Sequence, residues 1–288
     1  MAPAMHVDLD RLGRLLQKVA EAELLPRFRA LGPNDVMEKR GVDGRTEIVT
    51  VADGAAERAL AAELRALLPG SVVVGEESAS ADPSLLGALD GDAPVWVVDP
   101  LDGTSNFARG SRDFGVIVAL VKADTVVAGA IHLPFAERTL LAERGAGATH
   151  NGEPIRRPAS EPPFSGTLYR GYAPKALVSC MERIEAERRF EPKPAGCAAS
   201  EYANVALGNK DFAEYYRLLP WDHAAGALIV QECGGVARLF DGTDYRPSAR
   251  EGLLIAAGSE TVWRSVRDAF AEAGAAGAIV RWRRGSSR

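Results

Sequence analysis

At 288 residues the chain lies near the upper limit for one hydrophobic core, so a single large domain and two packed lobes are both open. With 47% hydrophobic and 25% charged residues it is not a disordered chain, and 34 basic against 39 acidic side chains, a net charge of -5, give no global electrostatic reason to expect nucleic acid as a partner. Cys180, Cys197 and Cys233 are an odd, widely spaced set without a CxxC pair, which argues against a disulfide framework or a zinc site and fits a reducing compartment.

The opening segment, "MAPAMHVDLDRL", has no apolar stretch before a small-residue cleavage site, and no later run approaches the ~18 apolar residues of a membrane helix. A cytoplasmic protein is expected. From Asp8 to Ala30, Leu9, Leu12, Leu16, Val19 and Leu24 recur at helical spacing, with Asp8 as cap and Gly32 as stop. A second helix follows Asp53, with Ala56, Leu60, Leu64 and Leu67 on one stripe and Pro69-Gly70 ending it. Then come β-branched runs at 72–74, 95–98, 116–121, 126–131 and 139–142, with a hairpin at "VKADTV" and a two-residue turn at Asn151-Gly152.

Between Arg156 and Gly166 the chain turns rich in proline and polar residues, which marks the boundary expected between an N-terminal α+β lobe, 1–157, and a C-terminal α/β lobe, 158–288. Beyond it a weak helix near 181–189, a strand at 212–216, a helix at 222–232, a strand at 253–257 and a helix at 259–271 alternate, as in a layered α/β arrangement. Arg281, Arg283 and Arg284 beside Trp282 read as the edge of a last strand and a solvated tail.

The carboxylates collect where elements end. Glu76 and Glu77 follow the strand "SVVVG", and Asp99 and Asp102 follow "PVWVV". Asp53 and Asp222 open helices, so each taken alone is also an ordinary N-cap, and Pro100 and Gly103 make a solvated turn equally natural around Asp99 and Asp102. Were these acids to converge, each pair ~4 Å apart would repel by roughly 4 kcal/mol at an effective dielectric near 20. Against a typical total stability of ~5–15 kcal/mol, such a cluster needs cations or protons. An all-oxygen donor set favours hard ions, Mg2+ first, with Mn2+ or Ca2+ behind it. The Gly103-Thr104-Ser105 turn offers successive backbone N–H groups to an anion, so a phosphate could sit between amides and metal.

With "GEES" at 75–78, "WVVDPLDGTSNF" at 96–107 and "WDHAAGALIVQECGG" at 221–235, the chain resembles the inositol monophosphatase family, part of a wider group of lithium-sensitive, metal-dependent phosphatases that includes fructose-1,6-bisphosphatases. The likeness runs from about Val36 to Gly258. It implies the αβαβα sandwich of the sugar phosphatases, with α and β elements in layers. It also implies a Mg2+-dependent phosphomonoesterase acting on inositol monophosphate or a related small sugar or polyol phosphate through a metal-activated water. Glu76, Asp99 and the carbonyl of Leu101 would hold one Mg2+, and Asp99, Asp102 and Asp222 a second. A third ion, as in some relatives, would again use Glu76. Mn2+ would substitute, and Ca2+ and Li+ would inhibit. Asp53, Thr104 and Glu76 take the catalytic roles, and Asp102, Gly103, Thr104, Ala198, Arg217 and Asp222 the substrate-binding ones. A homodimer is implied, with no nucleic-acid or membrane partner.

Smaller roles remain. Glu57 and Glu77 are expected to support the site, His223 to be no ligand, and Cys197 to stand where relatives often carry threonine. The pattern departs before Trp221-Asp222. Family members that hydrolyse inositol phosphates present a glutamate there, whereas aligning Tyr215-Tyr216 puts Arg217 in its place, with Glu214 in reserve. A permanently cationic donor suits a second phosphate or a carboxylate better than a neutral polyol, unless Arg217 is merely a surface residue. The same core therefore leaves fructose-1,6-bisphosphatase, histidinol phosphatase and nucleotide 3'-phosphatase as alternatives, and a non-catalytic interaction protein as a reading of another class.

Overall fold

The computed structural model describes residues 7–279. The tail carrying Arg281, Trp282, Arg283 and Arg284 lies outside the described residues. Helix α1, Leu9–Val19, is capped by the Asp8 carboxylate accepting from Arg11 N at 2.8 Å. The chain stays helical through a π turn at Ala20–Leu24 and a 3-10 turn at Leu25–Arg27. The single helix expected up to Ala30 is therefore three winding states of one rod, ending near Pro26.

The sequence pattern overlooks the next element, a hairpin of β1, Val36–Arg40, and β2, Thr46–Thr50, which form a two-stranded sheet of their own. Helix α2, Val51–Leu67, begins three residues earlier than expected because Thr50, not Asp53, is its cap, and Asp53 at the third helical position closes a capping box. Strand β3, Val72–Gly75, lies parallel to β4, Val95–Asp102, whose eight residues are all buried. Between them runs α3, Glu76–Ala81, and after β4 comes the short α4, Thr104–Ala108. Strands β5 (Gly115–Lys122), β6 (Thr125–Leu133), β7 (Arg138–Glu143), β8 (Gly147–His150) and β9 (Glu153–Pro154) then add on in sequence order, antiparallel, completing a seven-stranded sheet.

A second, five-stranded sheet has the order β11-β10-β12-β14-β13, from Glu191–Pro192, Ser165–Thr167, Phe212–Arg217, Glu251–Ala257 and Val236–Leu239. Its helices are α5 (Lys175–Ala186), α6 (Ala198–Ala206), α7 (Pro220–Glu232) and α8 (Glu260–Glu272). Helix α5 starts six residues before the weak helix expected near Met181, its buried face set by Leu177, Cys180, Met181 and Ile184.

Three cores separate the layers. One packs α1 and α2 on the outer face of the seven-stranded sheet through Leu12, Leu16, Leu60, Leu64, Trp96 and Val118. The second fills the space between the sheets, where α6 and α7 lie. The third seats α5 and α8 on the far face of the five-stranded sheet. The order is α, β, α, β, α, as expected. Helix α7 is apolar all round because it is sandwiched, which is why Ala224, Ala225 and Ala227 are small and fully covered.

Candidate active site

Strands β3 and β4 end side by side, and this parallel pairing brings Glu76 next to Asp99. Register slips between Asp99 and Asp102, a bulge that re-aims the strand at the site. Asp222, on the first turn of α7, comes from the central helical layer. One carboxylate oxygen from each of Glu76, Asp99 and Asp222 lies within 4.8 Å of the other two. At that separation each pair repels by about 3–4 kcal/mol at an effective dielectric near 20. Burial, reinforced by the neighbouring acids, raises Asp99 and Asp222 well above the ordinary carboxylate range. Hard oxygen donors gathered against their own repulsion fit a divalent cation such as Mg2+. The triad can hold one such ion.

Asp102 stands beside this triad, its Oδ2 accepting Ala199 N at 2.6 Å at the start of α6, and burial pushes it up to about 6. The Leu101 carbonyl lies 3.0 Å from Thr104 Oγ1. That hydroxyl also lies 2.8 Å from Asp53 Oδ1, so its one proton is shared between two acceptors. Asp53 divides its two oxygens: Oδ2 accepts Thr50 N at 2.8 Å and the Thr50 hydroxyl at 2.6 Å, while Oδ1 meets Thr104. Burial raises it to about 6.

Gly103 has φ +87, and a Cβ there would lie 3.0 Å from Asp113 O and 3.1 Å from Cys197 Cβ. Only glycine turns the chain this tightly between β4 and α4. Glu57 accepts Glu77 N at 2.7 Å and Ser78 N at 2.9 Å, capping α3 from beneath, and a Cβ on Gly75 would overlap its carboxylate at 2.2 Å. His223 has both ring nitrogens engaged, Nδ1 with Tyr202 Oη at 3.0 Å and Nε2 with Arg217 O at 2.8 Å, which leaves none for a metal.

A cavity of about 600 Å3 opens over these groups, lined by the triad of Glu76, Asp99 and Asp222, by Asp102, Gly103 and Thr104, and by Ala198 and Arg217. The β1–β2 hairpin supplies residues the motifs did not reveal. Lys39 Nζ lies 2.8 Å from Glu76 Oε1 and 2.6 Å from Glu77 Oε1. Burial would lower the Lys39 pKa, but the two glutamates outweigh it and hold the ammonium firmly charged. Glu77 is itself pushed up to about 8, by burial and then by Glu76. Glu47 lines the cavity and, with Asp43, pairs with Arg217. The Asp43-Gly44 turn ahead of the β-branched "TEIVT" is the one local signal for this hairpin.

Comparison with known proteins agrees with this geometry. A family model described as the inositol monophosphatase family matches residues 9–273. The chain belongs to the inositol monophosphatase family. It is 34% identical over 239 residues to the fructose-1,6-bisphosphatase/inositol-1-monophosphatase of Thermotoga maritima, covering 82% of this chain and 87% of that protein. It is also 34% identical over 207 residues to the Nus factor SuhB of Escherichia coli K12, covering 69% and 74%. Among solved structures, an inositol monophosphatase of Thermotoga maritima superposes with a TM-score of 0.72 at 30% identity, covering 92% of this chain and 99% of that one. The acidic triad in this family's fold is the centre of a metal-dependent phosphatase. Among the described residues no helix is long and apolar enough to cross a membrane.

Proposed function

We propose that the chain hydrolyses a small phosphorylated polyol or sugar, of which inositol monophosphate is the type, and that Asp53 and Thr104 manage the proton of the attacking water. The observation that carries this reading is the 2.8 Å contact of Thr104 Oγ1 with Asp53 Oδ1 at the edge of the cavity that holds the triad. Glu76, Asp99 and Asp222 would hold a divalent cation, whose Lewis acidity would lower the pKa of water and offset the charge of the ester oxygens. Asp102 and the Leu101 carbonyl stand close enough in the chain to extend the donor set to a second ion.

Thr104 accepts a hydrogen bond from the water while its own proton leans toward Asp53, so deprotonation of the water moves one proton to Thr104 and the threonine proton to Asp53. Burial suits Asp53 to this: raised to about 6, it is a stronger base than an exposed aspartate. The amides of Gly103 and Thr104, on the cavity wall, would receive phosphoryl oxygens as charge grows on them. Ala198, at the start of α6, gives the substrate body an uncharged wall.

The Thermotoga maritima relative, named for both a bisphosphatase and a monophosphatase, supports phosphate-ester hydrolysis without choosing the ester. The relatives named Nus factor SuhB favour a second reading, an interaction protein, but a chain kept only for binding has no need of Glu76, Asp99 and Asp222 in mutual repulsion. Release of inorganic phosphate from a panel of sugar, polyol, histidinol and nucleotide phosphates in Mg2+ tests the proposal. Turnover of a sugar or polyol monophosphate, lost in Thr104→Ala, is expected. A purified, folded protein inert on every ester rejects it. The family resemblance extends the reading to a homodimer, which light scattering after size exclusion tests.

A further inference from the structure

Arg217, at the cavity end of β12, is where a cation would receive a second anionic group of the substrate. Its charge is already engaged. The guanidinium Nε lies 2.8 Å from Asp43 Oδ2, and Nη2 binds Glu47 Oε1, both from the β1–β2 hairpin. Arg45 joins the group, its Nε 3.5 Å from Asp43 Oδ2. Two carboxylates thus face two guanidiniums, and the set is neutral. Both guanidiniums lie over the Tyr172 ring, Arg217 at 4.7 Å and Arg45 at 5.1 Å from its centroid. Tyr172 itself sits at φ +65, an uncommon conformation for a bulky side chain. The Arg217 and Glu47 side chains are 11% and 13% exposed, so water does little to screen the pair.

We propose that Asp43 and Glu47 are specificity-determining residues that consume the charge of Arg217, so that this end of the pocket selects esters carrying one phosphate and disfavours a second anion. The inference rests on the phosphatase reading above and deepens it. A second phosphate approaching Arg217 must displace Glu47, hydrogen-bonded to it, and Asp43, paired with it by charge, and then lie beside them, with Asp222 also contributing its field. A neutral hydroxyl meets no such cost, because Glu47, which lines the cavity, can accept a hydrogen bond from it. Arg217 therefore acts here as the clamp of the hairpin.

The experiment compares fructose 1-phosphate with fructose 1,6-bisphosphate, by kcat/KM and by equilibrium binding, in the wild type, in Asp43→Asn/Glu47→Gln and in Asp43→Asn/Glu47→Gln/Arg217→Ala. The wild type is expected to favour the monophosphate. Freeing the guanidinium should move the ratio toward the bisphosphate by about tenfold or more, the size of one charged hydrogen-bonded contact. Removal of Arg217 should cancel the gain. Arg109, on the rim of the same cavity and bonded to the Asn106 amide oxygen, serves as control: the gain should persist in Arg109→Ala. A wild type that prefers the bisphosphate, a ratio that moves less than about twofold, or a gain that survives loss of Arg217 overturns the proposal. If the double variant melts early, Glu47→Gln alone carries the same expectation at smaller size. Absence of turnover on both fructose esters leaves the phosphatase reading to the wider ester panel, while the binding ratios still decide the role of Asp43 and Glu47.

Discussion

At Asp53 one carboxylate oxygen closes the capping box of α2 while the other meets the Thr104 hydroxyl, so one side chain ties the frame of a helix to the reacting turn. These two duties separate by mutation. Asp53→Asn keeps an oxygen for the cap but loses the base, and kcat should fall by about 100-fold or more with KM little changed. Thr50→Ala removes the cap hydroxyl, and should cost about 1 kcal/mol of stability by denaturant unfolding with a smaller effect on kcat. Glu214, on the wall of the same cavity, supplies a pH test on a residue outside the acidic triad. It is fully buried, Oε1 accepts Tyr169 N at 2.6 Å, and burial pushes it up to about 8. Its folded pKa exceeds the unfolded value of 4.5, so its contribution to stability is complete below about 4.5 and is lost as pH rises through about 8. Glu214→Gln should therefore gain stability over the wild type at pH 8.5 and lose that advantage at pH 5, as read from urea midpoints at the two pH values.

The elements that place the ligands carry local support of their own. Helix α3 starts after Gly75, which has no side chain to cap it, and Glu57 of α2 fills that role by accepting Glu77 N and Ser78 N. Glu57→Ala leaves two amides short of partners at the point where Glu76 leaves the strand. It should destabilise the protein by about 1–3 kcal/mol and weaken divalent-ion binding, as read by calorimetry. Legibility in the sequence divides at this scale. Strands β4 to β7 and the start of α7 could be read, because β-branched runs and Trp221-Asp222 carry strong local signals. The acids of the motifs could be read for the same reason. The β1–β2 hairpin could not: its strands are polar and half exposed, so no apolar alternation marks them. Its partner for Glu47, Arg217, lies 170 positions away, a distance over which one sequence carries no pairing signal. Nor did the spacing show that Thr50 rather than Asp53 caps α2, since both residues are good caps and only the backbone decides.

In the molecule as a whole, three cores hold five layers, and the acids gather where the seven-stranded sheet meets the central helices. That placement costs stability when no cation is bound. Asp53 and Asp102 are raised to about 6 from an ordinary 3.8, so their contribution to stability is fully present below about 3.8 and lost as pH rises through about 6. In a chelator the melting temperature should fall between pH 5 and pH 7.5, and Mg2+ should close much of that gap by binding the folded state alone. The most direct measurement is a calorimetric titration of the chelated protein with Mn2+ at pH 7.5, repeated on Asp99→Asn and Asp222→Asn. Saturable binding in the wild type, at least tenfold weaker in either variant, is the expected result. A wild type that takes up no Mn2+, or variants that bind it as tightly, would contradict the assignment of Glu76, Asp99 and Asp222 as the metal centre.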